Sequence, residues 1–295
     1  MSDTVYGFRV PPAAIINMIR ENLVDRYRDA YAIVKELIQN SDDAKATRME
    51  LGWCSGLGDK ASHPLLKGPA VFVVNNGAFD SSNEKAIRHF NLSSKSNRRD
   101  SIGQFGLGMK SVFHLCEAFF YAWNCRGAER DFSGAEVLNP WGGLCHSGWN
   151  EFSQADQALL RHRLAPVIDG EVTADVSATS DWFALWLPLR LPSHSEADGD
   201  LIFERFYGDS PDDLRLFDSA VLDDLPTLLP LLRHLELIRV WRVEGASFNR
   251  VFEAALRRPS QRCAYKEGMR CGRTPLGGGI TIRNSTAEPP HPCVF

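Results

Sequence analysis

The chain has 295 residues, 44% of them hydrophobic and 24% charged, with a formal net charge of -4. That profile belongs to a globular protein with a core of its own and excludes a disordered or fibrous chain. The acidic balance argues against a surface that tracks a phosphate backbone as a whole, which leaves nucleic-acid binding to local basic patches.

The opening residues carry no basic stretch leading into an apolar core and a cleavage site. No uncharged apolar run approaches bilayer-spanning length, because residues 225–238 are broken by Pro226, Pro230, Arg233 and Glu236. A cytoplasmic protein with no membrane partner is therefore expected. The seven cysteines contain no CxxC pair, and their odd number suits a reducing compartment. A zinc site built from Cys263, Cys271, His291 and Cys293 matches no familiar finger spacing.

In chain order, the apolar spacing of Ile15, Ile16, Ile19 and Leu23 predicts a first helix. A second follows over residues 29–45, with Val34, Leu37, Ile38 and Ser41 on one side. Residues 47–53 and 70–74 read as strands, and Ser81 with Glu84 as a capping box for a helix through residue 90. The polar segment 91–104 reads as a surface loop that ends in a glycine cluster opening a helix. Strands at 118–123 and 131–138 follow, then a helix at 152–164. Strands at 182–189 and 237–242 flank a helix near 221–234, and beyond about residue 245 the pattern weakens. The layout is α/β, with a domain over residues 1–245 and a C-terminal extension over 246–295 that could begin a further domain.

Three stretches carry chemistry. In Glu36-Leu-Ile-Gln-Asn40-Ser-Asp-Asp43-Ala44, helical periodicity puts Glu36, Asn40 and Asp43 in one stripe opposite the apolar face. A carboxylate that can act as base, a carboxamide oxygen suited to a hard cation and a second carboxylate are what hydrolysis of a magnesium nucleotide needs. Taken alone, such a stripe more often marks a solvated helix face.

The second stretch, Val73-Val-Asn75-Asn76-Gly77-Ala78-Phe79, is an apolar strand ending in a turn. It reads as a plain hairpin turn, or as a side-chain carbonyl placed for an exocyclic amine, with glycine admitting the base. In the third, Ile102-Gly103-Gln104-Phe105-Gly106-Leu107-Gly108-Met109-Lys110-Ser111, glycines leave backbone N–H groups bare for a polyphosphate. It is not a P-loop, because Met109 separates Gly108 from Lys110.

Together and in this order, the three stretches resemble the asparagine box and the two glycine boxes of the GHKL ATPase superfamily. Within it they are most similar to the sacsin and heat-shock-chaperone type. Val137-Leu-Asn-Pro-Trp, Trp186-Leu-Pro-Leu-Arg190 and Leu228-Leu-Pro-Leu-Leu-Arg-His-Leu echo later segments of the sacsin type, so the likeness is read over residues 25–245.

The resemblance implies an α+β two-layer sandwich, the Bergerat fold, with a mixed sheet and helices on one face. It implies ATP and Mg2+ as ligands, slow hydrolysis, and a conformational switch that associates two protomers. Glu36 would polarise the attacking water and Asn40 would bind the magnesium, with Asp43 and Ala44 completing their box. Asn75, Gly77 and Phe79 would form the first glycine box on the base side. Lys95 would belong to the ATP lid, and residues Gly103, Gln104, Phe105, Gly106, Leu107, Gly108, Met109, Lys110 and Ser111 would hold the terminal phosphates.

The departures fall on the base side. Asn75 stands where the family usually has an aspartate, so the carboxylate charge is gone and a donor NH2 is added. Phe79 replaces the last glycine of its box, and Trp182-Phe183 offers no hydroxyl where the family often has threonine. Two other readings stay open: a non-hydrolysing nucleotide sensor or scaffold acting on an unknown protein client, and a MORC- or MutL-like DNA-transacting factor. The second draws only on Lys95, Arg98, Arg99, Arg257, Arg258 and Arg262, and charge runs are usually solvated faces.

Overall fold

The computed structural model describes residues 11–24, 30–88, 108–126, 131–142, 146–169, 181–198, 200–208, 210–214, 218–256 and 280–284. Its centre is a mixed sheet of β1 (Arg48–Cys54), β2 (Ala70–Asn75), β3 (Phe119–Arg126), β4 (Asp131–Leu138), β5 (Trp182–Pro188), β6 (Leu237–Glu244), β7 (Ser247–Leu256) and β8 (Ile280–Asn284). The strand order is β4-β3-β5-β2-β1-β6-β7-β8. Only β1 and β6 run parallel; every other neighbouring pair is antiparallel.

The helices are α1 (Pro12–Leu23), α2 (Ala30–Asp43), α3 (Pro64–Lys67), α4 (Ser81–Arg88), α5 (Gln154–Ile168), α6 (Ser193–Asp198) and α7 (Ser219–Leu228). None among the described residues is long and apolar enough to cross a membrane.

Local sequence accounts for most of these elements. Pro12 sits at the first turn of α1, where its missing N–H costs no hydrogen bond, and Ile16, Ile19 and Leu23 form the buried stripe. In α2 the buried side is Ile33, Val34, Leu37, Ile38 and Ser41, while Glu36, Asn40 and Asp43 are half-buried. Strand β2 is buried along its whole length, which is why its sequence runs apolar without alternation.

Register fixes the two faces of the sheet. Asn75, Phe183 and Trp123 form one cross-strand row on β2, β5 and β3, and Asn75 Nδ2 donates to Ser41 Oγ of α2 at 3.2 Å. The layer on that side contains α1, α2 and the 3-10 helix Met109–His114. The mixed sheet with a helical layer is the expected sandwich, but the helices are not confined to one face as expected. The opposite face carries α5 in addition: Arg161 lies 5.5 Å over the Trp182 ring, and Arg48 Nη2 reaches Ile168 O at 2.7 Å.

Four details differ from the sequence reading. The glycine cluster leads into a 3-10 helix rather than an α-helix. Asp80, not Ser81, caps α4, its Oδ1 accepting from the N–H of Ser82 at 2.8 Å and of Asn83 at 2.9 Å; Glu84 instead pairs with Arg88 at 2.9 Å. Helix α7 stops at Leu228 and passes through a 3-10 turn over Leu229–Leu231, where Pro230 has no N–H to continue the α-helical ladder. The boundary expected after residue 245 falls at the turn of a hairpin whose second strand, β7, pairs with β6 in the same sheet.

Asp42 ties α2 to the entry of β6. Its carboxylate accepts from the backbone N–H of Arg233 at 3.0 Å, His234 at 2.7 Å and Leu235 at 2.9 Å, and the residue is 1% exposed. Asp42→Ala removes the acceptor from all three donors and is expected to cost about 3 kcal/mol in urea denaturation, with Asp42→Asn costing less because one acceptor oxygen survives.

Candidate nucleotide site

The stripe predicted on α2 forms. Glu36, Asn40 and Asp43 share its half-buried side, next to the 3-10 helix that follows the glycine cluster. Glu36 and Gly108 are in direct contact. A Cβ built on Gly108 would overlap Glu36 Oε2 and lie 3.1 Å from its Cδ. A side chain at position 108 would therefore begin where the Glu36 carboxylate now rests and would displace its flexible end. This contact joins two stretches that the sequence could only place side by side in a list. Lys95, Gly103, Gln104, Phe105, Gly106 and Leu107 lie outside the described residues.

After Gly108 the chain turns inward. Met109 is half-buried, and the Ser111 hydroxyl donates to Gly108 O at 2.6 Å, closing the first turn of the 3-10 helix. Lys110 is 2% exposed and its Nζ donates to Ile87 O near the end of α4, while burial pushes its ammonium pKa down to about 8. Expected as a phosphate ligand, Lys110 instead ties α4 to the segment after Gly108, and Ser111 satisfies backbone. Both side chains thus support the glycine end.

The base-side residues also meet, at the C-terminal end of α2. Gly77 packs on Ala44: a Cβ there would come within 2.8 Å of both Ala44 Cβ and Ala44 O. Ala78 N–H donates to Ala44 O at 3.2 Å, so the turn after β2 clasps the helix end. Asn75 is 5% exposed and its amide is engaged at both ends, with Oδ1 accepting from Gly77 N–H at 2.9 Å and Nδ2 donating to Ser41 Oγ. Asn76 Oδ1 accepts from the N–H of Thr47 and of Arg48, each at 2.9 Å, and holds the entry of β1.

Phe79 lies over the cross-strand row. Its ring stacks on Phe183 at 4.8 Å between centroids and packs against Trp123 at 5.1 Å and Tyr121 at 6.2 Å. Its N–H donates to Cys125 Sγ at 3.0 Å, and burial pushes that thiol's pKa up, leaving it an inert packing group. Trp123, Cys125 and Tyr121 had no individual signal in the sequence, and Ser41 only its place on the inner side of α2. Phe183 had one, as an aromatic residue where a hydroxyl was sought.

The segment between Gly108 and β3 is anchored from the far side by Arg190, at the end of β5. Its guanidinium donates to the carbonyls of Phe113 at 2.6 Å, His114 at 3.0 Å and Cys116 at 3.1 Å, and is ion-paired with Glu117. Glu117 also accepts from Trp141 Nε1 at 3.0 Å and from Ile202 N–H. Arg190 and Glu117 are both fully buried, so the pair fixes the backbone that leads away from Gly108.

The donor set at the Glu36 end suits a magnesium triphosphate. Among the described residues no group of three or more His, Cys, Asp or Glu is placed to hold a metal, and magnesium is commonly held by one or two side-chain oxygens with phosphate and water completing its shell. The Asn40 carboxamide has one such oxygen, one helical turn from Glu36.

Residues 13–120 match the family model described as the Sacsin domain. Human Sacsin (Homo sapiens) is 31% identical to this chain over 111 residues, covering 34% of this chain and 2% of the human protein. The chain thus spans a small fraction of that relative's length. The family match takes in Glu36 to Ala44, Asn75 and Gly77, and Gly108 through the start of β3; this part of the chain is sacsin-like. It ends at residue 120, short of the 245 over which the likeness was read.

Proposed function

We propose that this chain is a GHKL-type module that binds magnesium ATP and hydrolyses it slowly, the bound nucleotide acting as a switch for association of two copies of the chain. The contact between the Glu36 carboxylate and Gly108 carries the reading. It sets an acidic side chain one helical turn from a carboxamide and against the bare backbone that ends a glycine cluster. The sacsin-like character of residues 13–120 supports it.

In this reading Asn40 would hold the magnesium, which supplies charge neutralisation along the phosphates. Glu36 orients a water toward the terminal phosphorus and takes its proton. Gly108 leaves the carboxylate its space, and Lys110 and Ser111 hold Gly108 in place. Residues Gly103 to Leu107 and Lys95 would add backbone and ammonium donors to the phosphates. Association of two copies, and the protein client they act on, follow the bound state.

Phosphate release from magnesium ATP by the full chain tests it. Turnover below about 1 s⁻¹, slow for an enzyme, and abolished by chelating the magnesium is the expected result; no release at any nucleotide concentration would refute the hydrolase. Gly108→Ala pushes a methyl group into the carboxylate and is expected to lower the rate about 100-fold, the scale of a misplacement near 1 Å. The crowded base side favours a second reading, a sensor that binds nucleotide without turning it over. Saturable binding with no phosphate released would select it.

A further inference from the structure

We propose that this site selects its ligand through the triphosphate and leaves the base unread, so that it takes purine and pyrimidine nucleoside triphosphates alike, with Phe79 as the residue that removes base selection. The proposal deepens the nucleotide reading above and rests on it.

Glu36 lies on α2 and Ala44 directly follows its last residue, eight positions on, which puts the two ends of the site roughly 12 Å apart along the helix axis. The end at Glu36 and Gly108 is polar. At the other end, Gly77 and both ends of the Asn75 amide already have partners in the protein. The open face that a glycine gives at Gly77 is closed by Ala44, with 2.8 Å from a Cβ position to the Ala44 methyl. The carbonyl of Asn75 is held by Gly77 N–H and its NH2 by Ser41, whose hydroxyl donates in turn to Leu37 O at 3.0 Å.

Asn75 also lacks the charge that would strengthen a hydrogen bond from an exocyclic amine. Opposite Asn75 on β5 stands Phe183, and over that position lies the Phe79 ring, stacked at an interplanar angle of 25°. Phe79, Phe183 and Trp123 are 6%, 8% and 5% exposed, so they form a packed cluster and not an open platform on which a base could stack. A ring that fills this place excludes the base without regard to its identity. Discrimination by a hydrogen bond to the base, which can reach about 10⁴-fold, then falls to a carboxamide that is 5% exposed and already bonded at both ends.

The test is a competition titration of the full chain, with magnesium present, against ATP, GTP, CTP and inorganic tripolyphosphate. The three nucleotides are expected to bind within about threefold of one another, because no polar group is left unpaired by any of them. ATP binding tighter than GTP and CTP by about tenfold or more, some 1.4 kcal/mol, would overturn the proposal while leaving the nucleotide site standing. Binding by none of the four would overturn the site and the proposal together.

Phe79→Ala separates the role of the ring. It vacates space against Phe183 and Trp123, so ATP and GTP should both gain about tenfold over tripolyphosphate through base stacking. An unchanged ratio in a folded variant would show that Phe79 does not fill the base position.

Discussion

Replacing Arg190 with leucine is expected to lower stability by about 3–5 kcal/mol, because it leaves the Glu117 carboxylate buried without its counter-charge and several carbonyls without donors. The guanidinium is completely buried and reaches Phe113, His114, Cys116 and Arg205 carbonyls as well as Glu117. Lysine cannot reproduce this, since one ammonium has no planar fork to span the carbonyls, so Arg190→Lys should recover only a minor part. Glu117→Leu made together with Arg190→Leu should recover part of the loss, because two apolar groups leave no uncompensated charge. Urea denaturation of the variants measures all three values. A loss below about 1 kcal/mol for the leucine variant, the range of an exposed ion pair, would mean that the pair does not anchor this segment.

The second large effect is on chemistry. Glu36→Ala is expected to reduce ATP hydrolysis by about 100-fold or more, the ordinary contribution of a general base, while magnesium ATP affinity changes little. The carboxylate projects from the half-buried side of α2 and its loss opens no core cavity, so the fold should persist. Glu36→Gln keeps the shape against Gly108 and removes the base, and should be as inactive as the alanine variant. Single-turnover phosphate release read beside nucleotide titration separates the two roles. Unchanged turnover in either variant would remove Glu36 from the chemistry.

The parts of this protein that are legible in its sequence are those governed by local periodicity. The buried stripe Ile16, Ile19 and Leu23 of α1 is spaced for one helix face, and the unbroken apolar run of β2 belongs to a strand covered on both sides. The half-buried side of α2 follows in the same way, because Glu36, Asn40 and Asp43 lie within one helix and 3.6 residues per turn settle their relation.

What depends on distant partners is not legible. Strands β7 and β8 owe their existence to pairing beyond β6, and the first positions of β7 alternate only between exposed and half-buried. Asp42 reads as one more acidic residue of its box; only the return of the chain at 233–235 makes it a cap for β6. Lys110 follows a glycine cluster, as a phosphate ligand would, yet its stem is drawn inward by Ile87 O. The aromatic cluster over Asn75 draws on β3, β5 and the turn after β2. Phe79 and Phe183 each look like an isolated departure until the register brings them together.

The most direct measurement is a calorimetric titration of the full chain with ATP in the presence and absence of magnesium. One saturable site per chain that weakens when magnesium is withdrawn is the result that follows from Glu36, in contact with Gly108 and one helical turn from Asn40. No heat of binding at millimolar ATP with magnesium present would contradict it.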